Sequence, residues 1–348
     1  MSVFSNKISQ FSILCTLLFL VGFSIPSVAS EAESDTTKFN ASEVILHHVM
    51  DDHVWHFWDG HYGTLHLPII VYTAECGLDV FSSSNFYNEH HAVVEYSGYK
   101  LEHNHIYLSN SGKAVFDISI TKNVAMLLIN ATILLLVFFA VAKAYKKNAG
   151  KAPKGIQSFF EPIIVFVRDE IVKPNIGHHY EKYLPYLLTL FFFILFGNFL
   201  GLLPGAGNLT GNIAVTLTLA VFTFFITNLS GNKAYWGHIF WTPGVPLALR
   251  PIIMLVEVIG IFTKPFSLTI RLFVAITAGH IVLLSLICLA FIFKSVYVGA
   301  GASLMVLFIS LIELLVAGIQ AYVFTLFPAL YIGMATADHD HHLLKGHL

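Results

Sequence analysis

Charged residues and cysteine are both scarce in this sequence. Asp, Glu, Lys and Arg make up 11% of the 348 residues, whereas 56% are hydrophobic. Soluble domains average about 25% charged residues, so a water-soluble globular protein is excluded. Nineteen Lys and Arg against twenty-one Asp and Glu leave a formal charge of −2. The chain therefore has no excess of basic residues with which to bind nucleic acid.

Sequence signatures of common catalytic and binding sites are also missing. The three cysteines, Cys15, Cys76 and Cys288, have neither the number typical of a disulfide scaffold nor the spacing of metal ligands. The sequence contains no GxxxxGK(S/T) phosphate loop, no HExxH motif and no GxSxG motif. We therefore expect no nucleotide site, no cofactor and no metal centre, and an intramembrane hydrolase lacks support.

The N-terminal third of the sequence divides into two parts. Lys7 precedes an apolar run over residues 11–25, and small residues follow up to residue 30, an order that predicts a secretory signal peptide over residues 1–30. Residues 31–122 then hold thirteen of the acidic residues and ten of the eighteen histidines, which predicts a periplasmic region. Short apolar stretches bounded by Gly, Asn and Ser predict strands within it, at 65–72, 92–96 and 114–120.

Long apolar segments begin at residue 123. A bilayer-spanning helix needs about 20 such residues, and residues 123–142 supply them. Five lysines follow between residues 143 and 154, so this end is predicted to face the cytoplasm. Residues 155–173 repeat apolar side chains at helical spacing, which predicts an amphipathic helix on the cytoplasmic surface. Further segments bring the total to about five membrane helices, at 184–203, 212–229, 247–293 and 303–333.

The last two segments exceed the length of one upright span, which predicts tilted helices. Glycines at 299–301 are predicted to form the turn between them, and residues 230–246 a loop that returns the chain to the cytoplasm. The tail, residues 336–348, contains four histidines and is predicted to be cytoplasmic. These features assign the chain to the all-α polytopic membrane class, with its membrane domain over residues 123–335.

One apolar segment contains four charged residues spaced by seven, namely Arg250, Glu257, Lys264 and Arg271. Seven residues return to nearly the same helical face, so the charges form one stripe about 31 Å long. A charge at the bilayer centre costs about 3 kcal/mol, which indicates that the stripe faces protein or water. Arg250 and Lys264 could instead reach water from the helix ends. Arg271 lies too deep for that, and its guanidinium stays protonated, so it is predicted to act as a fixed positive charge.

Further polar residues occur outside this stripe. His280 lies nine residues after Arg271, about 180° around the helix, and is predicted to face away from the stripe. In the last segment Glu313 and Gln320 share a face at seven-residue spacing. His280 and Glu313 can meet between adjacent helices and exchange protons, with a static ion pair as the alternative. Asn198 either binds water or satisfies a contact between helices.

The motifs that contain these residues resemble subunit a of the F-type rotary ATP synthase. The resemblance covers about residues 123–335 and rests on FTKPFSLTIRLFVAITAGH, LVEVIG, LIELLVAGIQAYVFTLFPALYI, GNFLGLLPGAG and AVTLTLAVF. It implies a stator subunit that provides two aqueous half-channels to a ring of c subunits. Arg271 matches the family's arginine, which faces the carboxylate of the c-ring and separates the half-channels.

The resemblance also implies roles for the other polar residues. Gln320 matches a glutamine near the arginine, and Glu257 and Lys264 match positions on the cytoplasmic approach. His280 and Glu313 match a periplasmic-side pair that some members carry in the reverse order, and protons are expected to enter near this pair and Asn198. Two departures concern the water route: Ala275 stands where the family often has Asn, and Gly201 where some members have Asp.

The family implies partners and a location as well. The expected partners are the c-ring, the peripheral-stalk subunit b and membrane lipid, in the inner membrane of a bacterium, with ATP made in a separate soluble sector. An alternative is a metal-ion transporter, yet His280 is the only histidine in the last two apolar segments. A metal or pH-sensing role also stays open for the outer histidines, which otherwise are solvated surface residues: His47, His48, His53, His56, His61 and His66.

Overall fold

The computed structural model describes residues 50–56, 63–73, 77–87, 93–102, 104–109, 112–148, 150–203, 205–241, 246 and 248–337. The predicted signal peptide and all of the predicted tail beyond residue 337 lie outside these residues. The described residues belong to one unit, Ala41–Leu348. They form a small strand-containing region followed by long apolar helices, so the polytopic all-α membrane class is confirmed.

The strand-containing region has seven short strands in the part of the chain that the structure describes. They are β1 Val54–His56, β2 Thr64–His66, β3 Pro68–Thr73, β4 Gly77–Ser82, β5 Tyr99–Glu102, β6 His105–Leu108 and β7 Phe116–Asp117. All pairings are antiparallel, in the orders β1-β2, β4-β3-β7 and β5-β6. Strands were predicted at 65–72 and 114–120, where β2, β3 and β7 lie. The prediction at 92–96 is wrong, because Val93 and Tyr96 form only isolated bridges.

Eight α-helices follow in the described residues. They are α1 Lys122–Lys147, α2 Ile156–Phe166, α3 Lys173–Ile176, α4 Tyr180–Gly201, α5 Ile213–Leu229, α6 Lys233–Phe240, α7 Arg250–Phe293 and α8 Val296–Thr336. A π-helical turn, Val167–Val172, joins α2 to α3. The predicted apolar stripe of residues 155–173 is largely buried, with Phe160, Val167 and Ile171 in the core.

The helices match the predicted number of spans. Four stretches are long and apolar enough to cross a membrane, namely α1, the run Ile156–Gly201, α7 and α8. A fifth is obtained when α5 and α6, which meet at an angle of 101°, are counted as one bent span. The prediction of a plain loop over residues 230–246 is wrong, because α6 forms there. Its side chains Tyr235 and Ile239 pack against α8 residue Ala335.

The break between the two longest helices is not where the glycines predict it. Gly299 and Gly301 lie inside α8, and the helices are separated by Lys294 and Ser295. Lys294 has a φ of 44°, in the left-handed region that ends a helix. Glycine costs a helix only about 1 kcal/mol, so an apolar setting can keep both glycines helical while the chain turns at the charged and polar residues.

Small residues let α8 pack closely against its neighbours α4 and α7. Ala317, Ala321 and Ala329 are fully buried, as expected of a membrane helix interface where backbones approach closely. At Gly333 there is no space for any side chain, since a Cβ there would overlap the carbonyl oxygen of Asn175. The position of α8 relative to α3 and α4 is therefore tightly defined.

The strand-containing region is attached to the helix ends. The indole Nε1 of Trp55 donates a hydrogen bond to the carbonyl oxygen of Gly205, in the loop after α4, at 2.7 Å. Asp51 accepts from the Thr121 hydroxyl at 2.8 Å and from the Asn123 amide at 3.0 Å, which places a carboxylate at the positive end of α1. Trp55 also packs against Met126 of α1.

Candidate functional site

The four charges of the stripe all lie on α7, as predicted, and each is partly exposed. Three of them contact aromatic rings. The guanidinium carbon of Arg250 lies 4.3 Å from the centre of the Trp241 ring, a cation–π distance. The other two contacts are made with α8, where Lys264 lies over Tyr331 at 5.1 Å and Arg271 over Phe327 at 4.2 Å. The stripe therefore faces α8 along part of its length.

Arg271 has no carboxylate partner among the described residues. Among the residues that the structure describes, the Asp and Glu side chains pair elsewhere or not at all, and none forms an ion pair with Arg271. The face of Phe327 stabilises the cation only weakly, by about 0.5–2 kcal/mol. The positive charge of Arg271 is thus available to an anionic group that this part of the chain does not supply.

The structure brings His280 and Glu313 together. The imidazole Nδ1 and the carboxyl Oε1 are 2.5 Å apart, and the side chains are 18% and 4% exposed. The other ring nitrogen, Nε2, donates to the carbonyl oxygen of Gly201 at 3.1 Å. A carbonyl can only accept, so Nε2 carries a hydrogen. At this distance a hydrogen must lie between Nδ1 and Oε1, because two facing lone pairs would repel each other.

Two glycines help to position this pair, one through its backbone carbonyl and one through its missing side chain. The sequence contains little sign of either contribution. Gly201 contributes only its backbone carbonyl, which orients the ring of His280. Gly279 makes space, because a Cβ at that position would lie 2.9 Å from Oε1 of Glu313. Backbone groups and missing side chains have no signature in sequence patterns. The one available signal was that Gly279 directly precedes His280.

His280 and Arg271 were predicted to point to opposite sides of α7, yet both contact α8. Arg271 reaches Phe327 and His280 reaches Glu313. These contact points are about 21 Å apart along α8. When two long helices cross at an angle, each presents different sides to the other along its length. Residues on opposite sides of α7 can therefore both reach α8. Helical phase alone was therefore a poor guide to the partner.

Asn198 and Gln320 differ in how their amides are used. Asn198 is 1% exposed and links α4 to its neighbours: its Nδ2 donates to the Ala317 carbonyl at 3.1 Å, and its Oδ1 accepts from Thr210 at 2.8 Å. Asn198 was predicted either to bind water or to satisfy a contact between helices, and the structure shows the contact between helices. Gln320 lies on α8 between Glu313 and Phe327, and its Oε1 is buried with no hydrogen-bond partner among the described residues.

A small, mostly apolar pocket lies beside Lys264, where α5, α6, α7 and α8 meet. Thr223, Thr227 and Asn228 of α5 contribute to its lining, and the buried hydroxyl of Thr227 has no partner in the described part of the chain. The predictions did not include these residues. Their spacing of four and five residues on an otherwise apolar helix was the signal that could have found them. The complete lining is Ala220, Thr223, Phe224, Thr227, Asn228, Tyr235, Ile261, Lys264, Pro265, Leu268 and Tyr331.

Comparison with known proteins identifies similar sequences over most of the chain. A family model described as ATP synthase A chain matches residues 124–333. A second model, a domain of unknown function (DUF8433), matches residues 44–127, which contain the seven strands. The two matches meet near the start of α1.

Individual relatives extend these matches. ATP synthase subunit a 2 of Chlorobaculum tepidum is 48% identical over 260 residues, which cover 72% of this chain and 73% of that protein. ATP synthase subunit a 2 of Chlorobium luteolum is 43% identical over 319 residues, covering 90% and 80% of the two chains. ATP synthase subunit a of Chloroherpeton thalassium is 50% identical over 230 residues, covering 65% and 69%.

Proposed function

The chain belongs to the ATP synthase A chain family, and from this premise we propose that it carries protons across the membrane as subunit a of an F-type ATP synthase. The family model and the relatives confirm the resemblance found in the sequence. In this proposal residues 123–335 form the membrane domain and provide two aqueous half-channels to a ring of c subunits. Each half-channel opens to one side of the membrane only.

Protons enter from the periplasm and reach His280 and Glu313. The contact of 2.5 Å between Nδ1 and Oε1 supports this role, because it lets one proton sit on either side chain. Asn198 holds α4 against α8 beside this pair. From the pair the proton passes to a carboxylate of the c-ring, which is then neutral and can rotate through the lipid.

Arg271 controls release of the proton after rotation. At about 4 Å and an effective dielectric of about 20, a guanidinium favours the ionised form of a carboxylate by roughly 4 kcal/mol. The lack of an ion pair to Arg271 among the described residues supports this role. A partner already bound to the guanidinium would weaken its effect on the c-ring. Arg271 also repels protons that would otherwise cross directly between the half-channels.

The released proton leaves toward the cytoplasm along Glu257 and Lys264. The pocket beside Lys264 supports an exit there, since the Thr227 hydroxyl in its lining has no partner among the described residues and can hydrogen-bond water. On α8, Gln320 lies between Glu313 of the entry pair and Phe327, the residue that Arg271 contacts. Rotation of the c-ring drives ATP synthesis in a separate soluble sector.

The proposal also includes a topology and a set of partners. The strand-containing region is periplasmic, the C-terminus is cytoplasmic, and the protein lies in a bacterial inner membrane in contact with the c-ring, subunit b and lipid. The comparisons favour this proposal over the metal-transporter alternative, because the matching family model and the relatives are ATP synthase subunits.

The proposal depends on the lack of a carboxylate partner for Arg271 among the described residues, and Arg271→Ala tests it. Inverted vesicles that contain the whole complex should lose ATP-driven proton pumping. Arg250→Ala is the matched control, because it removes the same side chain from the end of the same helix, and it should leave pumping near the wild-type rate. Both variants are compared at equal amounts of the chain in the membrane. Pumping by Arg271→Ala at the wild-type rate would contradict the proposed function.

A further inference from the structure

Two buried oxygen atoms on facing helices have no hydrogen-bond partner among the described residues. They are Oγ1 of Thr277 on α7 and Oε1 of Gln320 on α8. Roughly nine in ten buried polar groups in proteins have a partner, either protein or ordered water. Leaving such a group unpaired costs about 1–3 kcal/mol, so two of them on adjacent helices point to a bound polar molecule.

The hydroxyl of Thr277 departs from a pattern that most Ser and Thr residues of the long helices follow. Those hydroxyls donate to the carbonyl four residues earlier in their own helix. Thr269 on α7 and Thr325 on α8 are examples, with distances of 2.9 Å and 2.8 Å. Thr277 is only 9% exposed and makes no such bond, so its hydroxyl is left for another partner.

Both oxygens lie between the entry pair and the arginine. Thr277 precedes His280 by three residues, so it is on the same face of α7, displaced toward Arg271. Gln320 follows Glu313 by seven residues, on the same face of α8, and precedes the Arg271 contact Phe327 by seven. On each helix an unpaired oxygen thus lies between the two functional positions.

We propose that Thr277 and Gln320 hold a water molecule that relays protons between the His280–Glu313 pair and the c-ring carboxylate at Arg271. The water accepts a hydrogen bond from the hydroxyl of Thr277 and donates one to Oε1 of Gln320, which meets its need for two to four partners. The water takes a proton from the carboxyl group of Glu313 and gives one of its own protons to the c-ring carboxylate, so the water molecule is regenerated. This inference rests on the proposed function and names one further binding site for it.

The substitution Thr277→Val tests the water site, because valine keeps the shape of threonine but lacks the hydroxyl. ATP-driven proton pumping by inverted vesicles with the whole complex should fall about tenfold, at an equal amount of the chain in the membrane. Thr277→Ser restores a hydroxyl and should recover most of the rate. Thr325→Val is the matched control, since it removes a buried hydroxyl that is bonded within its own helix, and it should pump normally.

Several outcomes would overturn the inference. One is wild-type pumping by Thr277→Val, and another is a loss in Thr277→Ser as large as that in Thr277→Val. If Thr277→Val and Thr277→Ala both fail to accumulate in the membrane while Thr325→Val does, Thr277 has a packing role and the water site is rejected. Failure of the proposed function looks different, because Arg271→Ala vesicles would then keep pumping whatever residue occupies position 277.

Discussion

Nε2 of His280 donates a hydrogen bond to the backbone carbonyl of Gly201, 3.1 Å away. This bond determines which ring nitrogen meets Glu313, since a ring whose Nε2 is held by a carbonyl can present only Nδ1 to the carboxyl group. The bond spans from the end of α4 to the middle of α7. The orientation of the titratable ring thus depends on the packing of a third helix, in addition to the two that carry the pair.

Exchange of the pair is a direct test of its chemistry. The double variant His280→Glu with Glu313→His keeps one acid and one imidazole in contact, and we expect it to retain more proton pumping per ATP hydrolysed than His280→Ala or Glu313→Ala alone. Pumping and hydrolysis are measured on the same vesicles. Equal losses in all three variants would argue against a working pair of acid and imidazole.

The space left by Gly279 gives a second prediction. A methyl group there would lie 2.9 Å from Oε1 of Glu313, so Gly279→Ala must displace the carboxyl group from His280. Misplacement of reacting groups by about 1 Å can cost up to a hundredfold, and we expect pumping to fall at least about tenfold. Gly260→Ala is the control on the same helix, because nothing lies within 4 Å of its added Cβ. If the two variants pump alike, the close approach at Gly279 has no functional role.

The strand-containing region should lose stability in acid. Burial raises the pKa of Asp117, but hydrogen bonds from His53 and Ser119 outweigh it, so the net pKa lies below its usual value. A carboxyl group with a lowered pKa in the folded state stabilises the fold above its unfolded pKa of about 3.9. That contribution is lost as the pH falls through this value to the folded pKa.

Amide hydrogen exchange in the purified protein measures the effect. Exchange in β3 and β7 should be slow at pH 6 and should increase as the pH falls below about 4, beyond the intrinsic change in exchange rate. Asp117→Asn removes the titrating group and should flatten this dependence. An unchanged pH dependence in Asp117→Asn would show that other groups control the acid response.

Sequence patterns predicted the parts of the fold that depend on long apolar runs. Helices α1, α4, α5, α7 and α8 follow from the length of such runs, because a bilayer leaves few alternatives to a helix. Arg271 could be recognised for the same reason, as a charge that the membrane excludes unless protein or water receives it.

The remaining features depend on contacts that have no local pattern. The turn at Lys294 was missed because glycines at 299 and 301 are tolerated inside an apolar helix. Gly201 was noted only for an absent carboxylate, since a carbonyl acceptor is present at every residue and is selected by the tertiary fold. Helix α6 was missed because its eight residues are too short for a periodic signal.

The bond from Trp55 to Gly205 has a mechanical consequence. Gly205 is four residues from the carbonyl at Gly201 that orients His280, so these two attachment points are separated by at most about 14 Å of chain. In the proposed function the c-ring turns against this chain during every cycle. The strand-containing region is thus attached close to the end of α4 that holds the imidazole, and loss of the Trp55 bond should leave that helix end, and with it the ring, less firmly held.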